Sequence, residues 1–216
     1  MKNLESNLLF PLELISLGIE NGVKYFINTD SFFGNQIENE KDLDKDLYMY
    51  GYTLSKTQFR QWGRMFAKKY GICFINMKLE HVYGERDNES KFIPYILKAC
   101  SEKIPTIALS TGTQKRDFVH VSDVVNAYRV VVANLESISE NNYVSYEVGT
   151  GQERSLREFV EIIHEAVGSK SILNWGAIPM KNGELMYSKA DNSELKKLGW
   201  MPKIVDVTEI KSVFEV

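Results

Sequence analysis

The fold class is decided by the stretch Thr53-Leu-Ser-Lys-Thr-Gln-Phe-Arg-Gln-Trp-Gly-Arg-Met-Phe-Ala-Lys-Lys-Tyr-Gly-Ile-Cys-Phe-Ile-Asn-Met77. Its first part predicts a helix over 53–69, with Phe59, Trp62 and Phe66 on one face and Gly71 at its end. Its last part, 72–77, is a short apolar run that predicts a buried strand. A helix that leads directly into a buried strand is typical of an α/β fold with a mostly parallel sheet.

The same alternation continues on both sides of this stretch. Leu8, Leu12, Ile15 and Ile19 recur at helical spacing and predict a helix over 7–21, with Pro11 in its first turn. Further strands are predicted at 24–28 and 143–148, and an acidic loop at 34–47. Further helices are predicted at 92–100, from Ser122 to 135, from the capping box at 155–158 to 168, at 192–198 and at the end of the chain.

Composition narrows the function classes. The chain has 216 residues and a net charge of -3, so it offers no basic surface for nucleic acid. No apolar stretch approaches the ~20 residues that a membrane span needs. The N-terminus lacks the pattern of a signal peptide, so we expect a cytoplasmic protein. Cys73 and Cys100 form no CxxC pair or Cys/His cluster, so we expect two buried thiols and no metal site.

The strongest chemical signal is Tyr52-Thr-Leu-Ser-Lys56, which places a tyrosine and a lysine four residues apart at a helix start. We expect the ammonium to stabilise the phenolate and lower the tyrosine pKa, so that Tyr52 can exchange a proton with a substrate oxygen. Such a pair also arises by chance as two surface residues. Thr29 argues against chance, because it follows a predicted strand at the sheet edge where α/β enzymes place their chemistry.

Five stretches occur in the order seen in the NAD-dependent epimerase/dehydratase family, the extended short-chain dehydrogenase/reductases, which the whole chain resembles. They are Phe26-Ile-Asn-Thr-Asp-Ser-Phe-Phe-Gly34, Tyr52-Thr-Leu-Ser-Lys56, Lys78-Leu-Glu-His-Val-Tyr-Gly84, Arg116-Asp-Phe-Val-His-Val-Ser-Asp123 and Leu198-Gly-Trp200. More narrowly, Leu79–Gly84, Lys91–Tyr95 and Tyr146–Gly151 resemble nucleotide-sugar 4-keto reductases of O-antigen biosynthesis.

The resemblance implies the C-terminal part of a doubly wound, Rossmann-like parallel sheet with a smaller α/β substrate-binding lobe. It implies a partial Rossmann domain at 1–84 and 116–150, and substrate-lobe segments at 85–115 and 151–216. No GxGxxG or GxxGxxG occurs, and no strand precedes the first helix. We therefore expect the glycine-rich N-terminal part that binds the dinucleotide to be missing.

The resemblance also assigns roles to residues. It implies Tyr52, Lys56 and Thr29 as catalytic, and Tyr52, Lys56 and Asn28 as contacts of NAD or NADP. It implies contacts with a nucleotide-diphosphate sugar, with His81 in a substrate loop and Arg116 on the diphosphate. The implied contacts are Asp30, Ser31, His81, Lys91, Arg116 and Lys181. Lys78 and Lys181 stand where the family usually has arginine. A homodimer through helices 7–21 and 53–69 is implied as well.

The loop Thr29-Asp30-Ser31 separates the possible reactions. Elimination needs both an acid and a base, and Ser31 is a poor base where similar dehydratases carry glutamate. Reduction of a 4-keto group needs only a hydride and one proton. We therefore expect the full-length parent, with its glycine-rich part, to be an NAD(P)-dependent reductase of a nucleotide-activated 4-keto-6-deoxy sugar, with a 4-epimerase or a 4,6-dehydratase as the alternative; whether this chain alone is active stays open. A second alternative is an inactive remnant that dimerises or binds sugar nucleotides.

Other candidates have plainer interpretations. His120 lies in an alternating strand pattern and is expected to be structural, and His164 is expected on a solvent-facing helix surface. Gly149-Thr-Gly151 lacks a following GK[ST], so we expect a strand-to-helix turn in preference to a phosphate-binding loop.

Overall fold

Three parallel strands form the sheet on which the helix with Tyr52 and Lys56 packs. The structure is a computed structural model that describes residues 1–36, 50–140 and 142–214, so most of the predicted acidic loop at 34–47 lies outside the described residues. The strands are β1 (Tyr25–Ser31), β2 (Cys73–Leu79), β3 (His81–Tyr83), β4 (Thr106–Leu109), β5 (Lys115–His120), β6 (Tyr143–Val148), β7 (Glu153–Ser155) and β8 (Ile172–Trp175).

Helices alternate with these strands. They are α1 (Lys2–Leu4), a π turn (Glu5–Leu9), α2 (Phe10–Glu20), a 3-10 turn (Phe32–Gln36), α3 (Tyr50–Tyr70), α4 (Phe92–Ser101), α5 (Val121–Ala133), α6 (Leu135–Ile138), α7 (Leu156–Ala166), α8 (Ser193–Lys197) and α9 (Val207–Phe214). No described helix is long and apolar enough to cross a membrane.

The chain divides into two compact units. The first comprises 1–79, 127–148 and 192–200, and the second comprises 80–126, 149–191 and 201–216. These ranges differ from the sequence-based domain ranges mainly at 116–126, which belong to the second unit, and at 192–200, which belong to the first.

In the first unit, β1, β2 and β6 lie side by side in parallel. α3 packs on this sheet through Phe59, whose ring meets Phe74 at 5.9 Å between centroids. Gly63 permits the close approach, because a Cβ there would lie 2.2 Å from the Phe74 ring. Phe59 is therefore part of the core, while Trp62 is 47% exposed.

In the second unit, β5 pairs in parallel with β3 and antiparallel with β7, and β4 pairs in parallel with β8. Its core stacks the rings of Phe118 and Phe159 at 3.9 Å, and Tyr83 and Phe214 pack beside them. The predicted capping box of α7 is confirmed, with the Ser155 and Glu158 side chains each bonding the other's backbone N–H.

The α/β fold with parallel sheets is confirmed, and several element boundaries differ from the sequence prediction. The first helix begins at Lys2 and contains the π turn. Pro11 accounts for this turn, because proline lacks the N–H that the Asn7 carbonyl needs and its ring crowds that carbonyl. β1 extends to Ser31, because its polar end pairs with β2 in register up to Leu79.

The second unit also holds features that the sequence did not predict. β3, β4, β7 and β8 have only three or four residues each, too few for a periodic pattern. From the sequence, Ser122 was expected to cap the helix that begins there, but α5 begins at Val121. Ser122 thus lies inside its first turn, where its hydroxyl bonds the His120 ring at 2.7 Å, and the predicted capping role is wrong. His164 bonds the Ser171 carbonyl at 2.9 Å, so it does not simply face solvent.

Candidate active site

Tyr52, Lys56 and Thr29 lie together in the first unit. Tyr52 and Lys56 occupy the first turns of α3, with the Lys56 Nζ 6.0 Å from the centre of the Tyr52 ring. The same Nζ donates to the Thr29 carbonyl at 2.7 Å, which ties α3 to the carboxyl end of β1. The Tyr52 hydroxyl bonds the side chain of Ser31. The helix thus brings a phenol and an ammonium to the sheet edge where the strand hydroxyls are.

The protonation of this pair differs from the prediction. Burial raises the pKa of Tyr52 above its ordinary value, the Ser31 hydrogen bond lowers it, and the Asp30 charge raises it. Burial likewise lowers the pKa of Lys56. The predicted lowering of the tyrosine pKa by the lysine is therefore wrong for the chain alone. Burial is the largest cause of the raised Tyr52 pKa, and the Lys56 ammonium donates to the Thr29 carbonyl.

Tyr128 lies beside Thr29, although the sequence analysis named no site residue in the helix predicted from Ser122 to 135. Its hydroxyl lies 2.6 Å from the Thr29 hydroxyl, so α5 and β1 are linked next to the predicted catalytic threonine. Burial raises the pKa of Tyr128, so it stays neutral at physiological pH and can orient the threonine. The spacing of Tyr128 in the helix gave no signal of this contact.

Asn28 and Asp30 lie in a buried polar network. Asn28 donates to the Asn76 side chain at 2.7 Å, and Asn76 donates in turn to the Asp30 carboxylate at 3.0 Å. Arg60 on α3 pairs with the same carboxylate oxygen at 2.9 Å. Asn28 and Asp30 were predicted to contact the cofactor and the sugar. Here both side chains bind other residues of the first unit, and those predicted contacts are untested.

The remaining predicted substrate residues lie in the second unit. Arg116 is 3% exposed. It pairs with Glu184 at 3.2 Å and donates to the carbonyls of Lys115 and Leu185. Burial lowers the pKa of the Arg116 guanidinium, while Glu184 and Glu80 raise it. The guanidinium predicted to grip a diphosphate is thus held by a carboxylate of its own unit in this structure.

The two predicted lysine contacts are exposed. Lys91 precedes α4 and pairs with Asp87 at 2.7 Å, with 60% of its side chain exposed. Lys181 lies on the surface of a loop. Both lysines therefore present charge to solvent, in contrast to the enclosed Arg116.

His81 lies in β3 opposite Phe118, not in the substrate loop predicted for it. Residues His81–Tyr83 pair in register with β5. The loop predicted after β2 therefore begins only after Tyr83. The residue retains partial surface exposure, but its ring atom Nδ1 is shielded from solvent. The pKa of His81 is lowered to about 3, mainly by burial and in addition by the charges of Arg116 and Lys91. The ring is therefore neutral at physiological pH.

The lowered pKa of His81 predicts that the folded chain loses stability in acid. Because the folded pKa of about 3 is below the ordinary value of 6.5, the unfolded chain binds the proton first as pH falls, and stability is lost below about pH 6.5. Between pH 7 and pH 5 we expect His81 alone to remove about 1–2 kcal/mol of unfolding free energy. Urea denaturation of the chain and of His81→Gln at both pH values measures this loss. An equal loss in the variant would contradict the assignment.

Gly149, Thr150 and Gly151 form a turn whose polar hydrogens converge on one buried carboxylate. Asp117 accepts from the Thr150 and Gly151 amides at 2.8 Å each, from the Thr150 hydroxyl at 2.6 Å and from the Ala190 amide at 3.2 Å. Asp117 itself has no exposed surface. This arrangement agrees with a structural turn, since the chain's own carboxylate takes the place that a phosphate would need.

The remaining candidates from the sequence are the two cysteines and any group of side chains that could bind a metal. Cys73 and Cys100 are both buried and free. Among the residues that the structure describes, no group of three or more His, Cys, Asp or Glu side chains is placed to hold a metal ion.

Comparison with known proteins agrees with this geometry. The profile of the NAD dependent epimerase/dehydratase family matches residues 2–149. CDP-abequose synthase of Salmonella typhimurium is 40% identical over 92% of this chain and 64% of its own length. The dTDP-4-dehydro-6-deoxyglucose reductase of Escherichia coli is 25% identical over 95% of this chain and 64% of its own. The chain thus spans less than two thirds of the length of these relatives.

A solved structure shows the same fold. The UDP-glucose 4-epimerase of Thermotoga maritima, determined with UDP-glucose, superposes with a TM-score of 0.80 and 21% identity over 98% of this chain and 69% of its own. The family profile covers the strand end with Thr29 and the helix with Tyr52 and Lys56. The chain belongs to the NAD dependent epimerase/dehydratase family.

Proposed function

We propose that the protein reduces a nucleotide-activated 4-keto-6-deoxy sugar with NADH or NADPH, in the synthesis of an O-antigen or related polysaccharide. The observation that carries this proposal is the pairing of Tyr52 with Lys56 beside Thr29, at the carboxyl end of β1. Support comes from the 40% identity to CDP-abequose synthase and from the reductase of Escherichia coli, whose name states a 4-dehydro sugar. The expected cytoplasmic location belongs to this proposal.

Reduction fits the protonation of the site better than elimination does. Burial keeps the Tyr52 phenol protonated, which suits a group that donates a proton to a ketone oxygen as the hydride arrives. Thr29, bonded to Tyr128, would hold that oxygen. Ser31 supplies a hydroxyl where elimination would need a base. A 4-epimerase remains the alternative, because family members of that activity share the fold.

The donor set suits a nicotinamide ribose. Lys56 carries three N–H donors, and the bond to Thr29 leaves donor capacity for hydroxyl groups. When bound, the nicotinamide supplies the hydride. Tyr52 and Lys56 would orient the ribose beside the sugar. Arg116, Lys91, Lys181 and His81 are proposed to serve the nucleotide sugar, as the family resemblance implies.

Cofactor binding tests the proposal directly. NADH and NADPH are titrated into the purified chain, and nicotinamide fluorescence is followed. If the contacts that this chain retains suffice without the glycine-rich part, binding is saturable at micromolar cofactor. Lys56→Met should then weaken it about tenfold, since it removes charge-assisted hydrogen bonds. Lys68→Met, at the exposed end of the same helix, is the matched control. No binding by a folded chain would contradict the proposal for this chain and favour a remnant that dimerises or binds sugar nucleotides.

A homodimer through the first helix and α3 is also proposed. Both helices expose large apolar side chains: Leu9, Phe10, Leu14 and Leu17 on the first, and Trp62 and Met65 on α3. Burying such side chains in a four-helix bundle would remove them from water. We expect Leu14→Glu combined with Trp62→Glu to convert dimer to monomer in sedimentation velocity, while the exposed Met201→Glu does not. A monomeric parent chain would rule the dimer out.

A further inference from the structure

The end of β1 is held by a charge pair between Asp30, a predicted substrate contact, and Arg60 of α3. Asp30 has no exposed side-chain surface, and the Arg60 side chain is 15% exposed. One Asp30 oxygen accepts from Arg60 at 2.9 Å and from Asn76 at 3.0 Å, and the other accepts from the Ser31 amide at 2.8 Å. A buried carboxylate needs such a set of donors to remain charged. Arg60 is the cation of this set.

Arg60 also fixes the chain that follows β1. Its Nη2 donates to the Gly34 carbonyl at 3.4 Å. A Cβ on Gly34 would lie 2.9 Å from the Arg60 Nη1, so a larger residue there would displace the guanidinium. A single side chain of α3 therefore holds both Asp30 and Gly34 in place. The segment between them includes Ser31.

This segment contacts both members of the predicted acid/base pair. The Thr29 carbonyl accepts from Lys56, and the Ser31 side chain bonds the Tyr52 hydroxyl. Any movement of the strand end therefore moves the groups that orient Tyr52. The negative charge of Asp30 raises the pKa of Tyr52 and of Lys56. A cation next to Asp30 weakens that effect.

We propose that Arg60 is a positioning residue for Tyr52, acting through Asp30. It fixes the strand end that carries Thr29 and Ser31, and it offsets a buried negative charge beside the predicted acid/base. The effect of Arg60 on catalysis rests on the proposed function, whereas its effect on Tyr52 does not. The Asp30 carboxylate accepts hydrogen bonds from three donors, so both of its oxygens are engaged within the first unit.

Titration of Tyr52 tests, without substrate or cofactor, whether the charges of Asp30 and Arg60 act on its pKa. The full chain is labelled with [13Cζ]tyrosine, the Tyr52 resonance is identified by its loss in Tyr52→Phe, and its shift is followed with pH by NMR. Asp30 acts on Tyr52 from β1 and Lys56 acts from its own helix, while Tyr128 reaches the same strand from α5. The variants are Arg60→Gln, Arg60→Lys, Asp30→Asn and the double variant Arg60→Gln/Asp30→Asn.

Each variant is expected to shift the midpoint of the Tyr52 titration in a stated direction. Arg60→Gln should move the Tyr52 midpoint to higher pH, because Asp30 then lacks its cation. Asp30→Asn should move it to lower pH, and the double variant should fall below Arg60→Gln. Arg60→Lys keeps the charge and should stay near the parent. An unchanged midpoint in a folded Arg60→Gln chain would overturn the proposal. If that variant does not fold, Asp30→Asn decides, and an unmoved midpoint there overturns it equally.

Turnover provides the second readout. We expect Arg60→Gln to lower kcat about tenfold with little change in KM, as an interaction that matters mainly in the transition state does. Arg60→Lys should recover part of the loss. Absence of turnover in every variant, including the parent, would refute the proposed function but leave the Tyr52 titration to decide the role of Arg60. An unaffected kcat in Arg60→Gln with an active parent would contradict the positioning role.

Discussion

We expect Tyr52→Phe to lower turnover of the proposed 4-keto sugar nucleotide by about 10²–10⁴-fold, because the phenylalanine ring keeps the shape of the site and removes the proposed proton donor. Binding of the nucleotide sugar should change little, since the lost group acts on the reacting oxygen. The measurement is hydride transfer, followed by nicotinamide absorbance, together with calorimetric titration of the nucleotide sugar.

The control for this variant is Tyr70→Phe, which removes an equivalent hydroxyl from the exposed end of the same helix. Tyr70→Phe should match the parent in both assays. Near-normal turnover in Tyr52→Phe would eliminate Tyr52 as the proton donor. A large loss of nucleotide-sugar affinity would instead show that the hydroxyl serves mainly in binding.

Asp117→Ala has the largest expected effect on stability. The substitution leaves the amides of Thr150, Gly151 and Ala190 without their carboxylate acceptor in a position that has no solvent access. Each buried donor left unsatisfied costs about 1–3 kcal/mol, so we expect a loss of about 3–5 kcal/mol or failure to fold. Urea denaturation followed by circular dichroism measures the loss.

Asp117→Asn shows how much of the loss comes from the missing acceptor oxygens. The amide retains one acceptor oxygen and places an NH₂ against amide donors, so it should recover only part of the loss. Glu161→Gln, on the exposed face of α7, removes a carboxylate charge without burial and should stay within about 0.5 kcal/mol of the parent. An Asp117→Ala chain as stable as Glu161→Gln would show that the turn does not depend on the carboxylate.

The sequence predicts the parts of this protein that depend on local pattern. The alternation of helices and strands gave the α/β class, and the capping box at Ser155 gave the start of α7. The Tyr52/Lys56 spacing placed both side chains at the start of one helix, as the structure has them. These features need only neighbours within a turn or two of helix, which a linear pattern contains.

The parts that were missed depend on partners distant in sequence. Arg60 reads as an ordinary surface residue of a helix, and its pairing with Asp30 follows only from the register of β1 on β2 and the packing of α3. Tyr128 reads as an apolar helix position, and its contact with Thr29 spans 99 residues. The pKa of Tyr52 was predicted in the wrong direction, because spacing gives the nearby charge but not the burial.

The division of the chain into interleaved units has a consequence during synthesis. The unit that holds Tyr52 takes its segments from 1–79, 127–148 and 192–200, and α8 packs on β6 within it. A nascent chain therefore releases the tyrosine, the lysine and the strand hydroxyls from the ribosome long before the last pieces of their scaffold. Trp200, a fully buried residue of that unit, follows Tyr52 by 148 residues. Until this last segment is made, Tyr52 and Lys56 stand in an incomplete unit, when exposed strand edges are most prone to misassociation.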